Sequence, residues 1–173
     1  MSQVRLFTAT SLDGFVADSD GDSAWLEPYR HSMFTESGFI ETIGAVILGR
    51  RTFQMMQAFG EWPYEDQYAF VLTSQDPWET PPNCYFVTNG IAAAVQAARE
   101  RTSKDIWVVG GAVTMESALD AGLVDIVEIC VAPRLIGSGL SMLNGLKRPQ
   151  MLEFEGIQAF SDGLVKLRYE VVG

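Results

Sequence analysis

Three junctions in this sequence place groups that could bind a ligand directly after a short apolar strand. In the first, the run IWVV at 106–109 ends at Gly110-Gly111, and residues 114–121 follow with a helical pattern. Glycine has no Cβ, so a ligand can approach the backbone closely, and the free N–H groups of a first helical turn donate to phosphate. This junction therefore predicts a phosphate-binding turn. A tight strand-to-helix turn without a ligand is the alternative interpretation.

The second junction adds positive charge. The run AVIL at 45–48 ends at Gly49, and Arg50 and Arg51 open a helix that the pattern extends to about Ala58. Cations at a helix N-terminus oppose the helix dipole, so a purely structural reason for the two arginines is weak. A bound anion would remove that conflict. In a chain with a formal net charge of −10, this junction is the strongest phosphate-binding candidate.

The third junction carries an acid. Asp13 follows a strand predicted over 4–10 and precedes Gly14, so its carboxylate falls at the carboxyl end of a strand, where ligands bind in open α/β sheets. A turn-forming Asp-Gly pair is an equal alternative. The alternating aspartates of DSDGD at 18–22 resemble a calcium loop, but the twelfth position holds Tyr29 instead of glutamate. We therefore interpret that run as a solvated loop.

The junctions need a sheet with parallel strands to bring them to one edge. Short apolar runs alternate with helical patterns through the first two thirds of the chain, which is typical of a parallel sheet covered by helices. The predicted elements there are strands 4–10, 45–48, 69–73, 84–87 and 105–109, and helices 31–43, 50–58, 91–101 and 114–121.

The final third has a different character. After Gly122, strands are predicted without intervening helices at 124–131, 152–160 and 164–172. The turn SDG at 161–163 predicts an antiparallel hairpin between the last two strands. The predicted fold class is α/β, with one domain over 1–173. Its sheet is mixed and mostly parallel, with antiparallel C-terminal strands and helices on both faces.

Composition narrows the classes of function. The 173 residues are 47% hydrophobic and 20% charged, which is ordinary for a globular domain whose core needs no disulfides. A net charge of −10 argues against nucleic acid and anionic membranes as partners, since both need a basic face. Cys84 and Cys130 lie in apolar contexts and the polar start is not a signal peptide, so a cytoplasmic location is expected. The single histidine, His31, excludes a histidine-rich metal site, and we predict no metal.

Several short motifs together resemble a known superfamily. The runs ILGRRTF at 47–53, VLTSQ at 71–75 and VVGG at 108–111 are similar in order and spacing to dihydrofolate reductases. The runs SLDG at 11–14 and APRLIGSG at 132–139 resemble a sister group. That group is the reductase domain of the riboflavin-pathway deaminase–reductase (RibD C-terminal-like) and its small stand-alone relatives. The resemblance covers nearly the whole chain and implies a three-layer, dihydrofolate-reductase-like fold that binds NADPH across the strand ends, generally as a homodimer.

The resemblance implies a cofactor-binding set spread over all three junctions. Arg50 and Ser74 are implied to hold the 2′-phosphate of NADPH, and Arg51 to meet the pyrophosphate. The full implied set is Ala9, Val16 and Ala17 along the nicotinamide, with Gly49, Arg50, Arg51, Thr52, Thr73, Ser74, Gln75, Val109, Gly110, Gly111, Ala112, Val113 and Thr114 along the rest of the cofactor.

Four positions depart from the family pattern. Ala112 stands where folate reductases have a third glycine, and Val113 where some relatives have a second phosphate-binding arginine. Preference for NADPH over NADH therefore depends more heavily on Arg50. At the substrate end, Met33 stands where the folate enzymes carry the carboxylate that grips the pterin, and Cys130 where they have its partner threonine. These two differences count against folate reduction.

The predicted reaction is hydride transfer from NADPH to a small, nitrogen-rich substrate, like that of the 5-amino-6-(5-phosphoribosylamino)uracil reductase of riboflavin biosynthesis. Asp13 is the first candidate for binding substrate or relaying a proton, and Glu36 is the second. Ser11, Met33 and Cys130 are further candidates for binding substrate. The zinc set of a deaminase, His-x-Glu with Cys-x-x-Cys, does not occur in the sequence. Dihydrofolate reductase is the alternative activity, and a non-catalytic nucleotide-binding dimer is the alternative from another class.

A homodimer is predicted from the resemblance and from apolar residues in the final third. Leu140, Met142 and Leu143 fall in a predicted loop or sheet edge, where they would be available to a second copy. The alternative is that these side chains close the core of the monomer.

Overall fold

The fold is built on one mixed sheet of eight strands. The computed structural model describes residues 1–58, 60, 62–75 and 79–173. In chain order the strands are β1 Val4–Ser11, β2 Phe15–Ala17, β3 Ile43–Gly49, β4 Tyr68–Leu72, β5 Cys84–Val87, β6 Asp105–Gly110, β7 Ile126–Ala132, β8 Leu140–Ser141, β9 Met151–Ala159 and β10 Val165–Val172. The main sheet has the order β5-β4-β3-β6-β1-β7-β10-β9, and β2 pairs with β8 in a separate ribbon. The strands from β5 to β7 pair in parallel, whereas β10 is antiparallel to both β7 and β9. The predicted mixed α/β sheet with antiparallel C-terminal strands is confirmed.

Three α-helices follow three of the parallel strands. They are α1 Arg50–Ala58, α2 Ile91–Arg99 and α3 Ala112–Asp120. The predicted bounds of α1 are correct, and α2 ends two residues earlier than predicted. Because Gly111 is the N-cap residue, α3 begins two residues earlier than the predicted range of 114–121. Gly122 has a φ of +68°, as a residue that ends a helix requires.

The predicted helix over 31–43 is wrong. A π-helical turn, His31–Glu36, and a 3₁₀ turn, Ile40–Thr42, stand in its place, after an earlier 3₁₀ helix, Ala24–Tyr29. The reason is Gly38, which adopts a φ of +72° and donates its N–H to the carbonyl of Thr35 at 3.0 Å. A left-handed residue at this place ends the helix, and the chain enters β3 at Ile43.

Apolar side chains cover both faces of the sheet. One cluster packs Phe7 and Trp107 of the sheet with Phe39, which precedes the 3₁₀ turn, and with Phe53 of α1 and Met33 of the π-helical turn. The other cluster contains Leu6, Ile47 and Val108 and is covered by residues of α2 and α3, including Val95 and Leu119. Helices therefore lie on both faces, which gives the three-layer architecture.

The C-terminal part carries two further features. The hairpin predicted between β9 and β10 is present, with Gly163 at a φ of +93° and Phe160 donating its N–H to Leu164 at 2.9 Å. Met142 and Leu143 pack against the apolar cluster under α2 and α3. These two residues therefore close the core of the monomer, as the alternative interpretation stated, while Leu140 is 49% exposed. In the part of the chain that the structure describes, no helix has the length and apolarity to cross a membrane.

Candidate cofactor and substrate site

The three junctions lie side by side at one edge of the sheet. Strands β4, β3, β6, β1 and β7 are consecutive neighbours and run in parallel, so their carboxyl ends share that edge. The residues that follow or end these strands are, in order across the sheet, Thr73 to Gln75, Gly49 with Arg50, Gly110-Gly111, Ser11 with Asp13, and Ala132. The topology therefore brings the predicted phosphate-binding residues and the predicted substrate-binding residues into one row.

The first turns of α1 and α3 meet in this row. A Cβ on Gly49 would stand 2.9 Å from Oγ1 of Thr114 and 3.8 Å from the backbone nitrogen of Gly111. A Cβ on Gly111 would in turn stand 3.8 Å from Oγ1 of Thr52. The peptide bond between Gly110 and Gly111 is cis. Two helix N-termini and their unpaired N–H groups therefore lie together, with glycine where side chains would fill the space between them.

Cationic and hydroxyl groups flank these helix ends. Arg50 is half-buried and Arg51 is exposed in the first turn of α1. On the neighbouring strand end, Thr73 is buried and its Oγ1 accepts the N–H of Gln75 at 3.1 Å. Ser74 and Gln75 are exposed there. In a chain of net charge −10, this corner supplies the local positive charge that an anionic ligand needs.

The first residues of α3 differ in their exposure to solvent. Val113 is 76% exposed in the first turn of the helix, and Thr114 is buried against Gly49. Ala112 is half-buried, and Val109 packs against the apolar cluster that contains Trp107. Val113 therefore presents an uncharged, exposed side chain in the first turn of α3.

The part of the site that is predicted to bind substrate is lined by buried apolar residues. We call Ala9, Met33 and Cys130 the apolar floor. Ala9 on β1 is the register partner of Cys130 on β7, and both are buried in the same cluster as Met33. Burial raises the pKa of the Cys130 thiol to about 12, so this thiol is neutral at physiological pH. Among the described residues, this floor offers sulfur and methyl groups rather than the carboxylate expected for gripping a pterin. Val16 and Ala17 lie beside it on β2, with Ala17 buried and Val16 half-buried.

Glu36 lies at the end of the π-helical turn and points to the β9–β10 hairpin. The Ser32 hydroxyl lies 3.2 Å from Oε2 of Glu36 and 2.6 Å from Oδ2 of Asp162. Asp162 also accepts the N–H of Leu164 at 3.0 Å. The single hydroxyl hydrogen of Ser32 serves the shorter of its two contacts. Glu36 and Asp13, the two predicted proton carriers, therefore bind different parts of the chain.

Asp13 is fully engaged as an acceptor. Its carboxylate accepts the Ser11 hydroxyl at 2.5 Å and the N–H groups of Gly137 at 2.8 Å and Ile136 at 3.3 Å. The Ser11 hydroxyl contributes most to lowering the pKa of the Asp13 carboxyl below its ordinary value. A carboxyl with a lowered pKa is ionised at neutral pH and is a weak proton donor. Its geometry is that of a residue that holds backbone.

Aromatic residues near the apolar floor were not identified from the sequence. Trp25 and Trp62 pack against the cluster that holds Met33, and Trp62 makes edge contacts with Phe53 and Tyr64. Their indole nitrogens are buried and find no acceptor among the described residues. Neither tryptophan belonged to a motif in the sequence. Only the three-dimensional packing shows that their indole N–H groups are available as hydrogen-bond donors within the cluster that holds Met33.

Two surface cavities lie away from the row of strand ends. One, of about 440 Å³, borders the outer side of α3 and is lined by Glu116, Asp120 and Lys147 among others, with Val113 at its rim. The other, of about 530 Å³, lies between the N-terminus and the end of α2. Neither contains the glycine pair or Arg50. The candidate site is instead the open edge where two helices begin.

Comparisons with known proteins agree with this fold. A putative riboflavin biosynthesis protein from Shewanella sp. PV-4 has a similar structure, with a TM-score of 0.83 and 24% identity over 99% of both chains. A deaminase/5-amino-6-(5-phosphoribosylamino)uracil reductase from Thermotoga maritima is similar at a TM-score of 0.74 and 20% identity, over 99% of this chain and 57% of that one. Dihydrofolate reductase from Enterococcus faecalis, complexed with NADP(H), is similar at a TM-score of 0.71 and 16% identity, over 99% of this chain and 97% of that one.

These similarities show a dihydrofolate-reductase-like fold. The family is decided by the sequence itself, because the family model described as the RibD C-terminal domain matches residues 2–166. That match contains all three junctions, from Ser11 and Asp13 to Gly111 and the loop after β7. The chain therefore belongs to the RibD C-terminal domain family.

Proposed function

We propose that this protein is an NADPH-dependent reductase of a small pyrimidine-like or phosphoribosyl substrate. The observation that carries the proposal is the meeting of two helix N-termini at Gly49 and Gly111, next to Arg50, in an otherwise acidic chain. Such a site offers backbone N–H donors, two helix dipoles and a guanidinium to one elongated anion. Membership of the RibD C-terminal domain family and the NADP(H) complex of the E. faecalis enzyme support the same cofactor.

The proposed cofactor spans the row of strand ends. Arg50 and Ser74 hold the 2′-phosphate, and Arg51, Thr52 and the first turn of α3 hold the pyrophosphate. From β4 to β1 the row covers three strand spacings, on the order of 14 Å, so the nicotinamide falls beside β1 and β2. The buried methyl groups of Ala9 and Ala17 then give the nicotinamide a flat apolar surface that excludes water.

The bound cofactor supplies the hydride, and the chain orients it and binds the substrate. The floor of Cys130 and Met33 carries no charge, which suits an uncharged ring better than a pterin held through a buried carboxylate. The reductase named in the T. maritima protein acts on a phosphoribosylaminopyrimidine, and this class of riboflavin-pathway compound is the proposed substrate class. Glu36, at the exposed end of the π-helical turn, is better placed than Asp13 to exchange a proton with solvent, because the Asp13 carboxylate is already engaged with Ser11 and two backbone N–H groups.

The test compares two substrates in one assay of NADPH oxidation. Dihydrofolate and 5-amino-6-(5-phosphoribosylamino)uracil are supplied separately, and we expect turnover of the pyrimidine. Without a pterin-gripping carboxylate, folate reduction is expected to lose about 2–4 kcal/mol of transition-state stabilisation, on the order of 30- to 1,000-fold in rate. Efficient turnover of dihydrofolate with the pyrimidine inert would contradict the proposal. Binding of NADPH without turnover of either compound would favour a nucleotide-binding protein without this activity.

We also propose that the chain acts as a homodimer, through the uncovered face of β9 and β10. Leu152, Phe154 and Ile157 are 40%, 59% and 65% exposed. They are the register partners of Val171, Tyr169 and Leu167, so these six side chains form one sheet face. In the described chain, Val171 packs against the apolar cluster under α2 and α3, while Leu152, Phe154 and Ile157 on β9 stay exposed. An apolar sheet face of this kind is normally buried, and a second copy presents the same uncharged surface.

A further inference from the structure

Two segments that follow β1 and β7 are joined by hydrogen bonds at several points. We call residues 12–22 the first segment and residues 134–141 the second segment. The N–H of Leu12 donates to the carbonyl of Arg134 at 2.7 Å, and the hydroxyls of Ser19 and Ser138 lie 3.1 Å apart. In addition, β2 of the first segment pairs with β8 of the second. The two segments therefore form one unit that lies beside the carboxyl ends of β1 and β7.

Asp13 lies between the two segments and binds the second one. One carboxylate oxygen accepts the N–H of Gly137 at 2.8 Å, and the other accepts the Ser11 hydroxyl at 2.5 Å and the N–H of Ile136 at 3.3 Å. The side chain thus connects the end of β1 to the turn of the second segment. Hydrogen bonds from N–H groups to an ionised carboxylate are stronger than those to a neutral acceptor.

Ser11 connects Asp13 to β2 through a second hydrogen bond. Its hydroxyl has one hydrogen, which it donates to Asp13, and its oxygen accepts the N–H of Phe15, the first residue of β2, at 3.0 Å. Ser11 is 1% exposed, so water does not compete for the hydroxyl. The Asp13 carboxylate therefore sets the hydroxyl in the orientation that leaves a lone pair for Phe15.

The second segment approaches the first too closely for a side chain at Gly139. A Cβ there would stand 2.1 Å from the carbonyl oxygen of Ala17. Gly137 adopts a φ of +83°, which turns its N–H towards Asp13 without strain. Backbone contact on one side and a carboxylate on the other leave β2 a single position relative to β1.

We propose that Asp13 is a positioning residue that locks β2 against the second segment and so fixes the surface on which the nicotinamide rests. This inference rests on the proposed function for the identity of the ligand. It differs from the roles predicted from the sequence, since Asp13 acts through Ser11, Phe15 and the backbone of the second segment rather than on the substrate. The lowered pKa of its carboxyl agrees with a group that is always ionised in this role.

The test uses Asp13→Asn with Asp18→Asn as the matched control. Both aspartates lie in the first segment, and the Asp18 carboxylate accepts the N–H groups of Asp20 and Asp22 inside that segment. In Asp13→Asn, an amide N–H₂ faces the N–H donors, and we expect hydrogen exchange of Ile136 and Gly137 to accelerate on the order of tenfold. Asp18→Asn is expected to leave exchange of residues 134–141 unchanged. Melting temperatures check that both variants are folded.

A second measurement separates positioning from general damage. NADPH and 2′,5′-ADP share the adenosine phosphate end, but only NADPH reaches β2. We expect Asp13→Asn to weaken binding of NADPH about tenfold, comparable to the loss of one charge-assisted hydrogen bond, and to leave binding of 2′,5′-ADP unchanged. Asp13→Glu, which keeps the charge, is expected to restore part of the affinity for NADPH.

Each contrary result identifies what has failed. If the rate of hydrogen exchange at residues 134–141 is unchanged in Asp13→Asn, Asp13 does not lock β2 against the second segment. Equal weakening of NADPH and 2′,5′-ADP would overturn a role at the nicotinamide end. Wild-type protein that binds neither ligand would overturn the proposed cofactor, and with it the nicotinamide part of this inference, whereas the exchange comparison would still decide the lock.

Discussion

Gly111 faces Thr52 across the gap between two helix ends, with a virtual Cβ on the glycine 3.8 Å from the threonine Oγ1. That distance is an ordinary van der Waals contact, so the backbone itself tolerates a side chain at this position. The glycine is therefore not required by packing against the first turn of α1. Its absent side chain leaves space for a ligand, which gives Gly111 a functional interpretation, whereas the φ of +137° at Gly110 is a structural reason for glycine there.

Gly111→Val is expected to abolish binding of NADPH while the protein stays folded. The backbone at Gly111 is extended, with φ −77° and ψ −155°, a region that valine favours. With NADPH at 100 times its dissociation constant, the wild type should gain about 2.7 kcal/mol of stability in a thermal melt, and the variant none. Gly156→Val is the control, since Gly156 has open space around it on β9. A Gly111→Val protein that NADPH still stabilises would place the pyrophosphate elsewhere.

Arg50→Ala and Arg51→Ala should differ in which cofactor they affect. Arg50 is assigned to the 2′-phosphate, which only NADPH carries, and Arg51 to the pyrophosphate, which NADH shares. One charge-assisted contact is worth about 1.5–3 kcal/mol, so Arg50→Ala should weaken NADPH roughly tenfold or more and leave NADH nearly unchanged. Arg51→Ala should weaken both to a similar degree. Titration calorimetry with each cofactor measures these losses, and equal losses in Arg50→Ala would remove that residue from the 2′-phosphate.

The sequence predicted the row of strand ends because each junction is local. A β-branched run, a glycine and a helical pattern are adjacent in the chain, so the strand-to-helix junctions at Gly49 and Gly111 could be recognised without knowing the sheet order. The helix predicted over 31–43 failed because Gly38 takes a left-handed conformation, which the amphipathic pattern does not reveal. The contact of Asp13 with Gly137 spans 124 residues, and no local pattern reports such a pairing.

Buried charges are a second feature that the sequence did not reveal. Glu128 on β7 is fully buried and receives Arg5 of β1 at 2.7 Å and Arg168 of β10 at 3.1 Å. Lys166 lies 3.4 Å from the same carboxylate. In the strand sequence IVEICVA, this glutamate interrupts an apolar run, and Ile126 and Cys130 on the same face of the strand are buried. It is buried because cations from two neighbouring strands reach it, and only the sheet order brings them together.

Glu128→Gln should therefore destabilise the fold strongly. The variant leaves a neutral amide among Arg5, Lys166 and Arg168. Arg5 keeps its ion pair with Asp105 and Arg168 keeps its pair with Glu155, so the expected cost is up to about 3–5 kcal/mol of unfolding free energy. Glu155→Gln is the matched control, because Glu155 binds the same Arg168 at 2.7 Å but is 36% exposed. An exposed pair contributes up to about 1 kcal/mol. Urea denaturation of both variants gives the comparison, and equal destabilisation would show that burial of Glu128 is not what matters.

The two thiols should resist modification in the folded protein. Burial raises the pKa of Cys84 from 9.0 to about 11 and that of Cys130 from 9.0 to about 12. The thiolate is the reactive form, so labelling by iodoacetamide at pH 8 should be slow and should accelerate on unfolding. Because the folded state retains these protons more tightly, their contribution to stability falls as the pH rises above 9.0. Rapid labelling of either thiol at pH 8, at a denaturant concentration that leaves the protein folded, would contradict its burial.

Charge placement on β9 allows a direct test of the proposed homodimer. Ile157 lies on the uncovered apolar face, opposite Leu167, whereas its neighbour Gln158 pairs with Lys166 on the other face of the sheet. Ile157→Glu and Gln158→Glu each add one carboxylate, one residue apart, to opposite faces of the same strand. A carboxylate on the apolar face would be buried without a partner in the dimer, together with its symmetry copy.

Wild type and Gln158→Glu are therefore expected to sediment at twice the chain mass of 19.0 kDa at micromolar concentration. Ile157→Glu should shift towards the single-chain mass while keeping its thermal transition, because Ile157 is 65% exposed in one chain. Sedimentation of the wild type at the mass of one chain would reject the dimer. A dimer that survives Ile157→Glu would reject this face as its interface, and Leu140, 49% exposed on β8, would become the residue to test next.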